Sequence, residues 1–440
     1  MKIEKLKIQN FRCYENIELE LKDNYTVLIG INGAGKTTIL DAISIALGGY
    51  ISNFDGMGIH GISKSDSHYK MYELGSRIER EHQFPVKISA VGKIGNHEIE
   101  WTRSLNKENG RTTNVGAKEI ITYATEIQEN VKLGNKEIIL PLIAYYGTGR
   151  LWMQKREKSN KKSQENFSRL KGYIDCLDSA SNEKMMLKWF EKMTYLELQE
   201  GERIPELEVV KKALNNTYEI IDESVEKANF NYKVKSGELE VSIKRKNGTV
   251  ESLPLRILSD GIKSTMSMIA DIAYRMAILN PQLLDNILQE TSGVVLIDEI
   301  DMHLHPSWQS KIIKVLTKTF PKVQFIFTTH SPSVLSNISN ENILILNNLG
   351  IYKLTDKTYG RDIESIVHQI MRTEVRPQEI VENLKRFNNL LDEGRINEAK
   401  KILEELEEVL GENDTNIIDA RISLDFVRNL FIQGGIQNND

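Results

Sequence analysis

The sequence contains little cysteine. Two of its 440 residues are cysteines, Cys13 and Cys176, and they stand far apart without CxxC spacing. This scarcity argues against a disulfide framework and against a four-cysteine zinc site. The sequence also lacks any apolar run of membrane-spanning length, and its N-terminus has no apolar signal-peptide core. We therefore expect a cytoplasmic protein that makes no membrane contact.

A large excess of charge of one sign is also missing. The chain has 57 Lys and Arg against 62 Asp and Glu, which gives a formal net charge of −5 at pH 7. This balance argues against a protein that coats DNA over its whole surface, although a local basic patch is compatible with it. Residues 155–171 form such a patch. They are interpreted either as a solvated loop or as a surface that binds nucleic acid phosphate.

Short apolar runs alternate with helical patterns along most of the chain. Residues 25–30 (YTVLIG), 293–301 (GVVLIDEID) and 323–331 (VQFIFTTHS) are typical of buried strands, and the last two flank a helical pattern. Strand, helix and strand in that order predict a parallel sheet. Residues 51–80 are rich in Gly, Ser and His and are predicted to form a loop. Residues 377–411 are predicted to form an αα-hairpin.

A glycine-rich motif follows the first buried strand. Residues 30–38 read GINGAGKTT, which fits G-x-x-x-x-G-K-[ST] between a strand and a helix. Its glycines allow backbone N–H groups to close around phosphate, and the helix N-terminus adds a favourable dipole. Lys36 would reach the β- and γ-phosphates of ATP, and Thr37 would hold Mg²⁺. The predicted nucleotide contacts in this segment are Gly30, Asn32, Gly33, Gly35, Lys36, Thr37 and Thr38.

Polar residues end the two later strands. Asp298 would help to hold Mg²⁺, and Glu299 beside it would polarise the attacking water. The alternative is an acidic pair that caps a loop. His330 follows the next strand, where a single histidine is more often structural. His303 and His305 do not have the spacing of a zinc site, so no metal besides Mg²⁺ is expected.

The order of these motifs resembles a known group of proteins. A P-loop, a Leu-Ser-Asp-Gly turn at residues 258–261, an Asp-Glu pair and a histidine follow one another, as in the ABC-type ATPase heads of the SMC, RecF and OLD families. The segment NFRCYENIELEL before the P-loop is typical of that branch. The resemblance implies an α/β head with mixed and parallel sheets, flanking helices, a helical insertion and a C-terminal helical region.

The resemblance also implies roles for individual residues. Ser259 and Gly261 would contact the γ-phosphate of ATP held by a second copy, which makes the protein a head-to-head homodimer. The remaining implied roles are Lys36 and Thr37 in Walker A, Asp298 as the Walker B aspartate, Glu299 as the catalytic glutamate, His330 as the switch histidine, Asp301 in the D-loop, Arg12 near nucleotide or DNA, and Gln154 as a Q-loop candidate.

Composition, helical spacing and this resemblance together divide the chain into four segments. Residues 1–154 would be the N-terminal half of the head, and 155–229 a mostly helical insertion. Residues 230–360 would be the second half of the head, with signature, Walker B and switch histidine. Residues 361–440 would be a helical hairpin region. A packing module and a partner-docking site are both compatible with its acidic composition.

Several stretches resemble one subgroup more narrowly. AYYGTGRLW, DEIDMHLHPSWQ and LLDEGRINEAKKILEELEEVLG are similar to PtuA-like ATPases of Septu and retron-associated antiphage systems. In that family the ATPase works with an HNH nuclease, PtuB, so the resemblance implies an HNH endonuclease subunit as a partner. The insertion lacks a CxxC hook, and the sequence after His330 is too short for a Toprim nuclease domain. We therefore expect ATPase activity here and nuclease activity in the partner.

Three hypotheses follow for the function. The first is an ATPase that is the sensor or regulatory subunit of an antiphage defence complex. It would gate an HNH nuclease through ATP-dependent head dimerisation. The second is a DNA-repair ATPase resembling RecF and SMC proteins, which would clamp DNA directly. The third is a nucleotide-binding scaffold that hydrolyses ATP slowly.

Overall fold

The computed structural model describes residues 1–54, 57, 59–75, 77–95, 97–151, 168–178, 183–373 and 376–434. The chain divides into two compact units, Met1–Arg361 and Asp362–Asp440. Gln154 and residues 155–167 of the basic patch lie outside the described residues. Within the described ranges, no helix has both the length and the apolar character that a membrane crossing requires.

The strands form four sheets, whose orders are β2-β1-β6-β7, β15-β14-β3-β13-β12-β8, β11-β10-β9 and β4-β5. Their bounds are β1 Lys2–Phe11, β2 Tyr14–Glu20, β3 Tyr25–Ile29, β4 Tyr69–Leu74, β5 Arg77–His82, β6 Val86–Ile94, β7 His97–Leu105, β8 Leu142–Tyr146, β9 Val225–Lys233, β10 Glu238–Arg245, β11 Val250–Pro254, β12 Gly293–Ile297, β13 Val323–Thr328, β14 Ile343–Asn347 and β15 Gly350–Lys353.

Helices pack against the parallel sheet of the first unit and make up most of the second unit. Their bounds are α1 Lys36–Ile51, α2 Lys118–Lys132, α3 Glu183–Glu200, α4 Pro205–Ile221, α5 Asp260–Leu279, α6 Ile287–Glu290, α7 Pro306–Thr319, α8 Pro332–Leu335, α9 Ile363–Ser365, α10 Gln378–Asp392, α11 Ile396–Leu410 and α12 Thr415–Gly434.

The six-stranded sheet determines where polar side chains meet. Strands β14, β3, β13, β12 and β8 run parallel to one another, and only the edge strand β15 is antiparallel. Strands β8, β12 and β13 are buried along their whole length, because helices cover parallel sheets on both faces. Their carboxyl ends therefore lie at one edge of the sheet, beside the carboxyl end of β3.

The four-stranded antiparallel sheet supports the start of the chain. Ile3, Leu6 and Ile8 of β1 are buried, and Leu6 and Ile8 face Leu19 and Ile17 of β2. This alternation is what a sheet with one buried face requires. With the parallel sheet and the C-terminal helices, it confirms the predicted fold class, an α/β P-loop head with mixed and parallel sheets.

Helix α4 and strand β9 pack within the first unit. Helix α4 contacts α5, α7 and β9. Tyr218 of α4 meets Trp308 of α7 edge to face, with 5.9 Å between ring centroids. Strand β9 begins at Val225, so regular β structure starts within the segment that the sequence assigned to a helical insertion.

The prediction of a loop over residues 51–80 was wrong in part. Residues 69–74 and 77–82 pair as a two-stranded hairpin, β4–β5. Every described side chain in it is exposed or half-buried. Because neither face is covered, the hairpin has no period-2 burial pattern that a sequence search could detect.

The second unit contains the two predicted helices, α10 and α11, joined by a short turn. A third helix, α12, completes the bundle. Its core contains Phe387, Leu403, Leu406 and Ile417. Arg376 closes the unit with a hydrogen bond of 3.0 Å from its Nη2 to Asp414 Oδ2.

We expect Phe387→Ala to destabilise the second unit by about 3–5 kcal/mol, because this side chain is 1% exposed and its removal leaves a cavity. The measurement is urea unfolding followed by circular dichroism of the full chain. Phe426→Ala is the matched control, since Phe426 is 64% exposed. Equal midpoints for the two variants would contradict this account of the core.

Candidate nucleotide site

The loop that joins β3 to α1 has the backbone of a phosphate cradle. Gly33 and Gly35 have φ values of 81° and 93°, in the left-handed region that favours glycine. No side chain caps the first turn of α1, and that turn contains no acidic residue. The N–H groups and dipole at this helix end therefore favour an anion.

Tyr14 supports the loop from the antiparallel sheet, and sequence reasoning did not identify it. Its hydroxyl donates to the Ala34 carbonyl at 2.9 Å, and its side chain is buried. A side chain at position 35 would collide with this hydroxyl and with Cys13 Sγ. Cys13 Sγ also lies 3.9 Å from Thr38 Oγ1, at the buried first turn of α1. The NFRCYEN segment therefore helps to shape the P-loop.

The charged ammonium group of Lys36 lies within the loop. Its Nζ donates to the Gly30 carbonyl at 2.8 Å and to the Ile31 carbonyl at 3.1 Å. Burial lowers the pKa of Lys36, and the charges of Asp298, Glu299 and Asp301 oppose this shift. A buried ammonium at the N-terminal end of α1 attracts the negative charge of a polyphosphate.

Asp298 joins the P-loop helix to two strand ends. It is 3% exposed, and it follows β12. Thr37 Oγ1 donates to Asp298 Oδ2 at 2.9 Å, and Thr328 Oγ1 donates to Asp298 Oδ1 at 2.5 Å. The predicted pair of Mg²⁺-holding residues, Thr37 and Asp298, therefore lies in direct contact.

Glu299 is held in an unusual backbone conformation. Its φ is 48°, in the left-handed region that non-glycine residues seldom occupy. The Glu299 N–H donates to Thr328 Oγ1 at 2.7 Å, so Thr328 fixes both acids of the pair. Strain of this kind persists where the surrounding structure enforces it, which is common at functional sites.

His330 and Asp301 lie close to the same group of charges. Thr329 Oγ1 donates to Asp301 Oδ1 at 2.5 Å, which ties the turn after β12 to the end of β13. Burial lowers the pKa of His330, the charge of Lys36 lowers it further, and the nearby carboxylates raise it. The net shift is downward, so the imidazole is mostly neutral at pH 7.

The Leu-Ser-Asp-Gly turn opens the 20-residue helix α5. Ser259 is its exposed N-cap residue, and the Ser259 side chain makes no capping hydrogen bond. Asp260 forms an ion pair of 2.7 Å with Lys263. Gly261 lies against the turn after β12, where a Cβ would collide with the His303 carbonyl. This close approach requires glycine at position 261.

Arg12 is engaged by two acids of its own chain. It pairs with Asp41 of α1, and its Nε donates to Asp66 Oδ1 at 2.9 Å. Its φ is 48°, and its side chain is 37% exposed. The structure therefore places Arg12 beside the P-loop helix, while its contact with nucleotide or DNA stays a prediction.

The two histidines of the turn have separate structural surroundings. His305 caps α7 by accepting a hydrogen bond from the Ser307 backbone N–H. His303 is exposed, with a φ of 60°.

Residues at the site fit a nucleoside triphosphate with Mg²⁺. A Cβ at Gly33 would meet no atom within 4 Å, so the loop leaves room on this side. Lys36 supplies positive charge, and Thr37 with Asp298 supplies the hard oxygen ligands that Mg²⁺ prefers. ATP is the nucleotide we expect there.

Comparison with known families agrees with this geometry. A family model described as AAA domain matches residues 5–226, half of the chain. The chain belongs to the AAA domain family. This membership confirms the predicted enzyme class, an ATPase.

Relatives of nearly full length extend the comparison. The chain is 26% identical to the retron Ec83 probable ATPase of Escherichia coli over a 496-residue alignment, which covers 97% of this chain and 87% of that protein. It is 24% identical to the Septu protein PtuA of Bacillus thuringiensis, with 89% of each chain covered. These matches confirm the resemblance to Septu and retron ATPases.

A solved structure also aligns with most of this chain. A solved SMC head bound to the C-winged helix domain of ScpA aligns with 81% of this chain and 98% of its own. Its TM-score is 0.48, and its sequence identity to this chain is 15%.

We expect Thr328→Val to reduce ATP turnover at least tenfold. The substitution removes the buried Thr328 hydroxyl, which donates a hydrogen bond to Asp298 Oδ1 and accepts one from the Glu299 N–H. A buried polar group that loses its partner costs about 1–3 kcal/mol. The measurement is steady-state phosphate release, with ATP binding measured in parallel.

Thr217→Val is the matched control for this substitution. The Thr217 side chain is equally buried, and its hydroxyl has no hydrogen-bond partner among the described residues. We expect wild-type turnover from this variant. Wild-type turnover from Thr328→Val would show that the hydroxyl does not fix the acidic pair.

Proposed function

We propose that this ATPase is the regulatory subunit of an antiphage complex, in which ATP joins two heads and thereby gates a partner HNH nuclease. The observation that carries the proposal is the exposed start of α5. Ser259 and Asp260 are exposed there at the start of a long helix without a side-chain cap, and Lys263 pairs with the Asp260 carboxylate. Such an end favours an anion, so it is suited to contact a phosphate held by another copy.

The chain's own residues divide the work of hydrolysis. Lys36 would offset negative charge, while Thr37 and Asp298 would hold Mg²⁺. Glu299 would orient and deprotonate the attacking water, and neutral His330 would accept or donate a hydrogen bond near it. When bound, ATP supplies the bond that is broken, and Mg²⁺ neutralises phosphate charge. Asp301 and Arg12 would lie at the margin of this site.

Glu299→Gln should convert the chain into a stable dimer when ATP is added. The amide cannot accept the proton of water, so ATP stays bound between the heads. Light scattering measures the mass with and without ATP. In the same Glu299→Gln background, Ser259→Arg should keep the mass of a monomer, because it blocks the α5 end.

Complementation decides whether each copy completes the other's site. Lys36→Ala removes the phosphate-binding lysine, and Ser259→Arg blocks the α5 end, so each variant alone should be inactive. An equimolar mixture should recover about a quarter of wild-type turnover, because half of the dimers are mixed and each of those has one intact site. An inactive mixture would contradict the shared site.

The nuclease partner is proposed from relatives. Those with 89% or more of this chain covered carry the names Septu protein and retron probable ATPase. A regulatory ATPase needs states that bind its partner differently, because only differential affinity shifts an equilibrium. ATP-joined heads and separate heads are two such states.

We expect a gene for an HNH protein beside the gene for this chain, and coexpression of the two proteins tests the partner. We expect the two proteins to copurify, and we expect the cleavage rate of the complex to change when Lys36→Ala removes ATP binding. The wild-type complex with and without ATP is the control. Strong ATP- and salt-dependent DNA binding by this chain alone, without copurification of an HNH protein, would instead favour the DNA clamp.

A further inference from the structure

Two adjacent tyrosines end β8, and their hydroxyls reach different helices. Tyr145 Oη donates to Asp41 Oδ1 at 2.8 Å, and Tyr146 Oη donates to Asp271 Oδ2 at 2.7 Å. Successive side chains of a strand point to opposite faces, so neighbours in sequence contact opposite sides of the sheet. Asp41 lies on α1, and Asp271 lies on α5.

These two helices carry the two phosphate-binding ends. Helix α1 begins at Lys36 in the P-loop, and α5 begins beside Ser259 in the Leu-Ser-Asp-Gly turn. A helix moves as a rigid element, because each turn is hydrogen-bonded to the next. A displacement of α1 at Asp41 therefore acts on Tyr145, and a displacement of Tyr146 acts on α5.

The strand that carries the tyrosines is fixed to the acidic pair. Tyr146 pairs with Ile297 of β12, and the Asp298 N–H donates to the Tyr146 carbonyl at 2.8 Å. Both tyrosine side chains are 6% exposed. We call the hydrogen-bonded connection Asp41–Tyr145–Tyr146–Asp271 the link. It is therefore attached, through the Tyr146 carbonyl, to Asp298, which would hold Mg²⁺.

The carboxylates of Asp41 and Asp271 each also contact an arginine. Asp41 pairs with Arg12, and Asp271 accepts a hydrogen bond of 2.8 Å from Arg275 Nε. Arg275 in turn donates to the carbonyls of Gly172 and Ile174, at 2.9 Å each. Burial raises the pKa of both tyrosines, so their hydroxyls stay protonated and able to donate.

We propose that Tyr145 and Tyr146 are positioning residues that transmit nucleotide binding at the P-loop to the N-terminus of α5. That the N-terminus of α5 contacts phosphate held by a second copy rests on the proposed function. The coupling itself is a property of one chain. It can therefore be measured without a dimer.

Hydrogen exchange of the backbone amides of residues 261–265 measures the coupling. The chain carries Ser259→Arg, which keeps it monomeric, so that no second copy can protect α5. We expect ATP to change the exchange rate of these amides severalfold when both tyrosines are present. Tyr145→Phe and Tyr146→Phe should each reduce that response by more than half, while the Kd for ATP stays within about twofold.

Tyr232→Phe is the matched control. It removes a hydroxyl from a tyrosine that is 8% exposed and that lies on β9, in the three-stranded sheet rather than in the sheet that contains β8. We expect the full ATP response from this variant. Thermal melts identify any variant that fails to fold, and either Tyr145→Phe or Tyr146→Phe alone suffices to test the link.

Two results would overturn the inference. One is an exchange rate at residues 261–265 that ATP does not change in the monomeric chain with both tyrosines. The other is a full response in folded Tyr145→Phe or Tyr146→Phe. Failure of the wild-type chain to dimerise with ATP would contradict the proposed function instead, and it would leave this monomeric measurement valid.

Discussion

A single buried carboxylate connects the parts of the nucleotide site. Each oxygen of Asp298 accepts a hydrogen bond from a hydroxyl, one from Thr37 at the start of α1 and one from Thr328 at the end of β13. A buried carboxylate requires such donors, because desolvation without them is costly. The sheet order supplies them: β13 lies between β3 and β12, so the P-loop, the acidic pair and His330 meet at one edge. The rest of the site is arranged around this contact.

Patterns within short segments of the sequence were sufficient to predict the P-loop and the two strands that follow it in the site. The P-loop has fixed spacing, and the runs that became β12 and β13 are short, apolar and followed by polar residues. Parallel strands end at one edge, so proximity of Asp298 and His330 followed from the fold class. Thr328 was not predicted, because a threonine at the end of an apolar run fits a strand without any further role. Its two hydrogen bonds depend on sheet order, which a single sequence does not encode locally.

Other features depended on contacts between distant segments. The hairpin of β4 and β5 is uncovered on both faces, so its sequence lacks the alternation that predicts a strand. Residues 361–440 were predicted to be helical, but α12 was not predicted as a third separate helix, although Ile417 and Leu424 bury one of its faces against α10 and α11. Tyr145 and Tyr146 looked like ordinary residues of an apolar strand. Their roles follow from Asp41 and Asp271, which lie 104 and 125 residues away in the chain.

Packing within a single chain explains why the Leu-Ser-Asp-Gly turn has glycine at position 261. A Cβ at position 261 would collide with the His303 carbonyl, so packing against the turn after β12 requires glycine there whether or not a second copy is present. The glycine therefore does not by itself indicate a phosphate contact. That interpretation depends instead on Ser259, which is exposed at an uncapped helix end. The same packing places the start of α5 against the turn that contains Asp301. The two segments proposed to face a second copy are therefore positioned by each other before any second copy binds.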